Sequence, residues 1–264
     1  MPKVTVVMAC HNNAHTISEA IASIYRQSFD DWELIIVNDA STDDLHGALQ
    51  NAPIDRRTTV IDLDENVGSG RARNIAIDNT ESPFVAIMDA DDMSISTRLR
   101  QQADYLTSNP DVAAVASQLA EFGDWGGPVA SKWPTDDRQI RRRQGKLKMP
   151  IPHPSTMIRR DVVEAVGGYD ESCRRAQDYA MFLRLRDHRL ACLPTVHVLY
   201  RTTRPLPVRY ALKNGRYADL ARRRYLASLR GDDMLPDNIT HDVGRDLSSL
   251  KDWSVRRFRE AVRR

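Results

Sequence analysis

Five short β-rich runs, at residues 4–9, 33–38, 58–63, 84–88 and 112–117, alternate with helix-patterned stretches near 15–27, 44–50, 68–79 and 95–108. Strands separated by helices pair in parallel, and each crossover lays its helix on a face of the sheet. The alternation therefore predicts an α/β fold, an open, Rossmann-like, mostly parallel central sheet with helices on both faces. Ligands of such sheets gather beyond the carboxyl ends of the strands. Those ends are polar here: Cys10-His11-Asn12-Asn13 after the first strand, Asp39-Ala40-Ser41-Thr42-Asp43-Asp44 after the second, Asp64-Glu65-Asn66-Val67-Gly68 after the third and Asp89-Ala90-Asp91-Asp92 after the fourth.

Residues 119–150 break the rhythm. Gly123, Gly126, Gly127, Pro128 and Pro134 lead into the basic run RQIRRRQGKLK at 138–148, which reads as a long excursion or mobile loop. Order is expected to resume as a strand at 153–160, a short helix at 162–166, a helix at 176–186 and a strand at 190–200. An Arg-rich helical remainder follows Pro205 and Pro207.

With 264 residues, one main core is expected, large enough to need no disulfide or structural metal. Cys10, Cys173 and Cys192 are odd in number and form no CxxC pair, which excludes a disulfide framework and a thiolate zinc site and suits a reducing compartment. No secretory leader or membrane-length apolar run is evident, so a cytoplasmic chain is expected. Charge is uneven: residues 201–264 hold 16 Lys and Arg against 8 Asp and Glu, and residues 1–200 hold 22 against 28. The acidic body argues against nucleic-acid binding, whereas the basic tail could meet anionic lipid at the inner face of a membrane, a second subunit in a homo-oligomer, or solvent.

The sharpest chemical feature is the acid pair after the fourth strand. In an extended segment residues two apart share a side, so Asp89 and Asp91 present paired carboxylates suited to Mg²⁺ or Mn²⁺, which share their shell with substrate phosphates. The alternative is that Asp91 or Asp92 caps a helix starting near Met93. An EF-hand is rejected, because Ser94 and Arg100 stand where Gly and an acid are needed. The glycine fingerprint of a dinucleotide fold is missing from the first turn. Gly68-Ser69-Gly70, with Arg71 and Arg73, instead suits a helix N-terminus facing an anionic ligand. Asp39 could accept hydrogen bonds from a nucleobase or ribose, or serve as a turn residue.

Taken in order, VVMACHN at 6–12, VNDASTD at 37–43, NVGSGRARN at 66–74, MDADD at 88–92, HPSTMIRR at 153–160, GGYDE at 167–171, QDY at 177–179 and LYR at 199–201 resemble family 2 glycosyltransferases of the GT-A fold, over most of residues 3–201. The resemblance implies an inverting transfer from a nucleotide-sugar, UDP above all, to a glycan, lipid-linked or small-molecule acceptor. It implies that Asp39 reads the base with Arg71 nearby, that Asp89 and Asp91 form a DxD metal motif for Mn²⁺ or Mg²⁺, and that Asp178 is the catalytic base. His11, Asn12, Asn66, Gly68, Ala90 and Arg201 fall on the donor side; His153 is a candidate contact to acceptor or donor sugar. Residues 1–204 would form the transferase domain, 1–118 its nucleotide half and 119–204 its acceptor half, with 205–264 a basic helical extension touching lipid or a partner. Trp32, Trp125 and Trp133 are candidate sugar platforms, with core or rim packing the alternative for Trp32.

Three positions depart from the family pattern: Asn38 for a usual Asp, Gln177 for a usual Glu, and Thr203 for a usual His, whose work would pass to Arg201, Arg204 or water. Metal-dependent phosphoryl or nucleotidyl transfer, and a nucleotide-sugar-binding protein without turnover, are the competing readings.

Overall fold

The computed structural model describes residues 1–205 and 208–231. In chain order the elements are β1 (Val4–Cys10), α1 (Ile17–Tyr25), β2 (Trp32–Asn38), α2 (Leu45–Gln50), β3 (Thr58–Asp62), α3 (Ser69–Asp78), β4 (Phe84–Asp89), β5 (Met93–Ser94), α4 (Arg98–Ser108), β6 (Val112–Gly123), β7 (Gly126–Ala130), α5 (Asp137–Gly145), a 3-10 turn at His153–Ser155, β8 (Met157–Arg159), α6 (Arg160–Ala165), α7 (Gln177–Arg184), β9 (Arg189–Arg201) and α8 (Val208–Ser228).

They form a nine-stranded sheet in the order β3-β2-β1-β4-β8-β6-β9-β5, with β7 paired to β6. The first four strands are mutually parallel, as the alternation predicts. Period-two alternation splits their side chains into two cores. Met8, Leu34, Ile36 and Met88 pack on one face with Ile21 and Leu99. Val7, Ile35, Val37 and Ile87 pack on the other with Ile77 and Phe182. Each such side chain, fully buried, stabilises the fold by about 1.5–3 kcal/mol.

The pairing is not parallel throughout: β5–β9 and β6–β7 are antiparallel. β8 runs antiparallel between β4 and β6, pairing Ala86 and Val115 with Met157. Its three residues carry no periodicity of their own; neighbours on both sides hold them as strand. The expected excursion at 119–150 is corrected. β6 continues to Gly123 and turns back as β7, and α5 follows, anchored by Ile140 and Gln144 on its buried side. Gln144 Nε2 donates to the carbonyls of Leu185 and His188 at 3.2 and 3.0 Å, so a hydrogen-bonding anchor invisible to hydropathy orders the segment.

The three cysteines are buried thiols, and burial pushes Cys10 and Cys192 up to about 12, so they pack rather than react. Among the described residues no helix is long and apolar enough to cross a membrane. Of the basic helical extension expected at 205–264, Val208–Ser228 forms α8; residues 232–264 lie outside the described residues.

Candidate active site

Register brings the polar strand ends level. Cys10 pairs with Asn38, and Ala9 with Asp89, so the ends of β2, β1 and β4 open onto one edge. Among the described residues, three of the four non-glycine residues with left-handed backbone, Asn12, Ala40 and Ala176 (φ 60°, 52° and 54°), stand after β1, after β2 and before α7. For alanine that conformation costs on the order of 1–2 kcal/mol, and such strain gathers where a ligand is clamped.

Asp39 is the hub of the first group. Its carboxylate oxygens accept from the Val67 and Gly68 backbone N–H groups at 2.7 and 2.9 Å, and its carbonyl meets His11 Nδ1 at 2.7 Å and Asn66 Nδ2 at 3.2 Å. Asn12 Oδ1 accepts from the Thr42 backbone N–H at 2.8 Å. His11, Asn12, Asp39, Asn66 and Gly68 thus form one network, in which the buried Asp39 side chain ties β2 to the start of α3. The departure at Asn38 has a local cause: Nδ2 donates to Asp62 Oδ1 at 2.7 Å and Oδ1 accepts from the Ser41 N–H, so an aspartate there would face a second carboxylate.

Arg71 is not part of that group. It is exposed and pairs with Glu171 at 2.7 Å. Its neighbour Arg73, 5% exposed, reaches inward to Asp89 at 2.7 Å and lies over the Tyr169 ring at 5.6 Å. Asp89 and Asp178 both stabilise its charge, as both act on His153 and Tyr169. Arg73 is bonded to the acid after β4, and the charge of the acid in the first turn of α7 also acts on it. Sequence reasoning placed Arg73 beside a ligand without seeing this bridge. The available signal was its place on the buried side of α3 with Ala72, Ala76 and Ile77, where a charge needs a partner.

The acid loop differs from the expected extended pair. After Asp89 the chain turns, with the Asp92 N–H donating to the Asp89 carbonyl at 3.2 Å. The helix expected near Met93 begins instead at Arg98, after β5, so neither Asp91 nor Asp92 caps it. Burial raises the Asp91 carboxyl above the usual carboxylate range, and the Asp89 charge raises it further. Asp92 is only 1% exposed; burial, then Asp89 and Asp91, raise it well above that range. Its Oδ1 accepts from the Arg201 N–H, while Oδ2 has no partner among the described residues. Three carboxylates thus crowd one turn with Arg73 as the guanidinium bound directly to a carboxylate there. Among the described residues no three His, Cys, Asp or Glu side chains enclose a metal. Two carboxylates facing a cleft nevertheless fit a divalent cation whose remaining ligands are phosphate and water.

Arg201 holds this loop from β9. Its Nε donates to the Asp91 carbonyl, its Nη2 pairs with Glu19, and its guanidinium covers Phe122 at 4.6 Å. Arg204 pairs with Glu121 and covers Trp125 at 3.9 Å. Trp133 packs against the core under Arg143, and Trp32 is buried, so these rings serve protein contacts. His153 is buried beneath the cleft. Its Nε2 meets the Tyr169 hydroxyl at 2.8 Å, and burial, then Arg73, lower it to about 4, which leaves it neutral.

The loop before Asp178 is held from two sides. On one, Asn74 accepts from the Tyr169 N–H at 2.8 Å and donates to its carbonyl at 3.0 Å, and Gln177 donates to Ser69 Oγ at 2.7 Å. On the other, α8 places Asn214 against Arg175 at 3.2 Å and Tyr210 under its guanidinium at 5.0 Å. Gly168 makes the Asn74 clamp possible. At φ +64° it is left-handed, and a Cβ there would stand 2.7 Å from Asn74 Oδ1. Gly168→Ala should therefore lower stability by roughly 2 kcal/mol, from the backbone penalty and the displaced clamp. Denaturant titration checks it; an unchanged midpoint would mean that the clamp yields freely.

The glycosyl transferase family 2 model matches residues 5–167. An uncharacterized glycosyltransferase of Methanocaldococcus jannaschii is 30% identical over 191 residues, 69% of this chain and 64% of that protein. An Escherichia coli UDP-Gal:alpha-D-GlcNAc-diphosphoundecaprenol beta-1,3-galactosyltransferase is 28% identical over 190 residues, 69% of this chain and 67% of that protein. The chain thus spans about two thirds of these relatives. A mannosyltransferase of Pyrobaculum calidifontis, solved with GDP-Man and Mn²⁺, superposes with a TM-score of 0.63 at 21% identity, covering 89% of this chain and 66% of that one; it shares the GT-A fold.

Proposed function

The chain belongs to glycosyl transferase family 2, and on that premise we propose that it transfers a sugar from a nucleotide-sugar, preferentially a UDP-hexose or UDP-N-acetylhexosamine, to a hydroxyl acceptor in glycan assembly, with inversion at the anomeric carbon. The observation that supports this reading is the buried Arg73, bonded to Asp89 and sensing the charge of Asp178, the candidate diphosphate-side and base-side acids. The E. coli relative acts with UDP-Gal on a diphosphoundecaprenol-linked sugar, which supports a UDP donor and a lipid-linked acceptor here.

In this reading the network of His11, Asn12, Asp39, Asn66 and Gly68 seats the nucleoside. Asp39 acts chiefly by fixing the Val67 and Gly68 backbone, and Arg71 closes the outer edge. Asp91, with Asp89 and the Ala90 backbone, would hold Mn²⁺ or Mg²⁺, and the ion would supply Lewis-acid neutralisation of the diphosphate charge. Arg201 keeps the Asp91 backbone in place, and Tyr169, backed by His153, floors the sugar pocket. Asp178 takes the proton from the acceptor hydroxyl as its oxygen bonds to the anomeric carbon and the bond to the diphosphate oxygen breaks.

A thermal-shift panel of nucleotide-sugars with and without Mn²⁺ tests the donor half, since a ligand that binds only the folded state raises the midpoint. UDP-sugars should shift the midpoint more with Mn²⁺ than without. Asp91→Asn should abolish most of the Mn²⁺-dependent increment, equivalent to a loss of about tenfold or more in donor affinity. An Mn²⁺ increment equal to the parent's would remove Asp91 from the metal site. Transfer from the best donor to a hydroxyl acceptor tests the rest, and phosphoryl release without glycoside formation would overturn the reading.

A further inference from the structure

The basic run at 138–148 takes no part in the cleft, yet it is ordered. α5 turns Ile140 and Gln144 inward. The acids at its start are engaged: Asp136 caps the Gln139 N–H, and Asp137 pairs with Arg141 and Arg189. Arg143 donates to the Met149 carbonyl and covers Trp133. Arg138, Arg142 and Lys146 recur at four-residue spacing along the exposed side, Lys148 follows, and all four are exposed without an ion pair among the described residues. Like charges at that spacing repel and destabilise a helix, and Arg138 near the positive end of the helix dipole adds to the cost. Arg142, in the last turn, gains from the helix dipole; the cost falls on Arg138 and on the repulsion along the row.

The ridge borders the candidate site. Leu147 at its end packs in one cluster with Cys173, Ala180 and Ala221, and its carbonyl accepts from the Tyr179 hydroxyl at 2.8 Å, one residue from Asp178. α8 packs on α7 through Ala221 in the same cluster, and the next residue, Arg222, is exposed. A row of cations about 12 Å long on a convex helix matches a broad anionic surface rather than a single phosphate, which would need a concave nest. Aromatic side chains for stacking bases are absent from the exposed positions of α5, so a nucleic acid is not favoured. Residues 1–200 are acidic overall, so this basic ridge stands out within them as a side suited to a negatively charged plane.

We propose that the exposed side of α5, with Lys148 and Arg222, docks on an anionic phospholipid surface and presents the Asp178 end of the cleft to it. This deepens the glycosyltransferase reading by favouring a lipid-linked acceptor, but the binding itself does not depend on that reading. The test is co-sedimentation of the full chain with phosphatidylglycerol-containing vesicles, with pure phosphatidylcholine vesicles as the comparison. The parent should partition onto the anionic vesicles and be released by salt. The variant R138Q/R142Q/K146Q/K148Q should lose on the order of 10²–10³-fold in partitioning, from roughly fivefold per basic side chain. The milder K146Q/K148Q should lose about tenfold or more. Both should keep the parent's thermal midpoint and Mn²⁺-dependent donor shift, which separates a lost surface from a lost fold or donor site. Equal partitioning of variant and parent would overturn the proposal, as would equal binding to neutral vesicles. Binding to a soluble polyanion such as dextran sulfate, with none to vesicles, would also overturn it.

Discussion

Asp178→Asn should bind the donor as tightly as the parent and transfer sugar roughly 10²–10⁴-fold more slowly, the usual worth of general-base assistance. The substitution keeps shape: Asp178 Oδ1 accepts from the Tyr179 N–H at 2.8 Å, and an asparagine carbonyl oxygen does the same. What disappears is a site for the acceptor's proton. The loop that carries the residue is fixed independently by Asn74, Gln177 and Arg175, so loss of the carboxylate need not disturb the donor end. Single-turnover release of nucleotide with and without acceptor, beside the thermal shift by donor and Mn²⁺, separates the two. Full transfer by this variant would refute the assignment of the base.

Arg73→Met should cost about 3 kcal/mol, the low end of what breaking a buried ion pair does, because Asp89 keeps 24% of its side-chain surface in water. The cost has two parts. Asp89 loses its bonded cation while Asp91 and Asp92 remain beside it. Asp178 loses a neighbouring positive charge as well. If the acid turn is a metal site, Mn²⁺ should raise the midpoint of this variant by more degrees than that of the parent, since the added ion supplies the charge that Arg73 provided. A midpoint shift by Mn²⁺ no greater than the parent's would show that the turn does not take the metal. Urea titration in the presence and absence of Mn²⁺ gives both quantities.

Several features were open to inspection of the residues alone. The alternation of runs set the parallel order of β1 to β4, because hydrophobic period and crossover length are local properties of the chain. Acids at the ends of those strands marked the edge to examine. The pairing of Asn38 with Asp62 was not visible, because it joins adjacent strands through register. The strand expected at 153–160 is present but shorter: His153–Ser155 is a 3-10 turn, and Met157–Arg159 is held as β8 by its pairing with β4 and β6. The 119–150 segment looked unstructured because glycine, proline and arginine dominate it. Its order comes from Gln144 reaching carbonyls of Leu185 and His188, some forty positions away in the chain.

Local chemistry thus determined the family, the sheet and the list of acids, since each depends on residue type, spacing and order. Tertiary structure decided their partners. Arg71 and Arg73 are alike in sequence, yet one lies in solvent against Glu171 and the other lies buried against Asp89. The difference is a rotation of two positions around α3, about 200° at 3.6 residues per turn, which sets one guanidinium toward water and the other toward the cleft. How strongly each charge acts depends on the water removed around it, and that follows from the packing of elements distant in the chain.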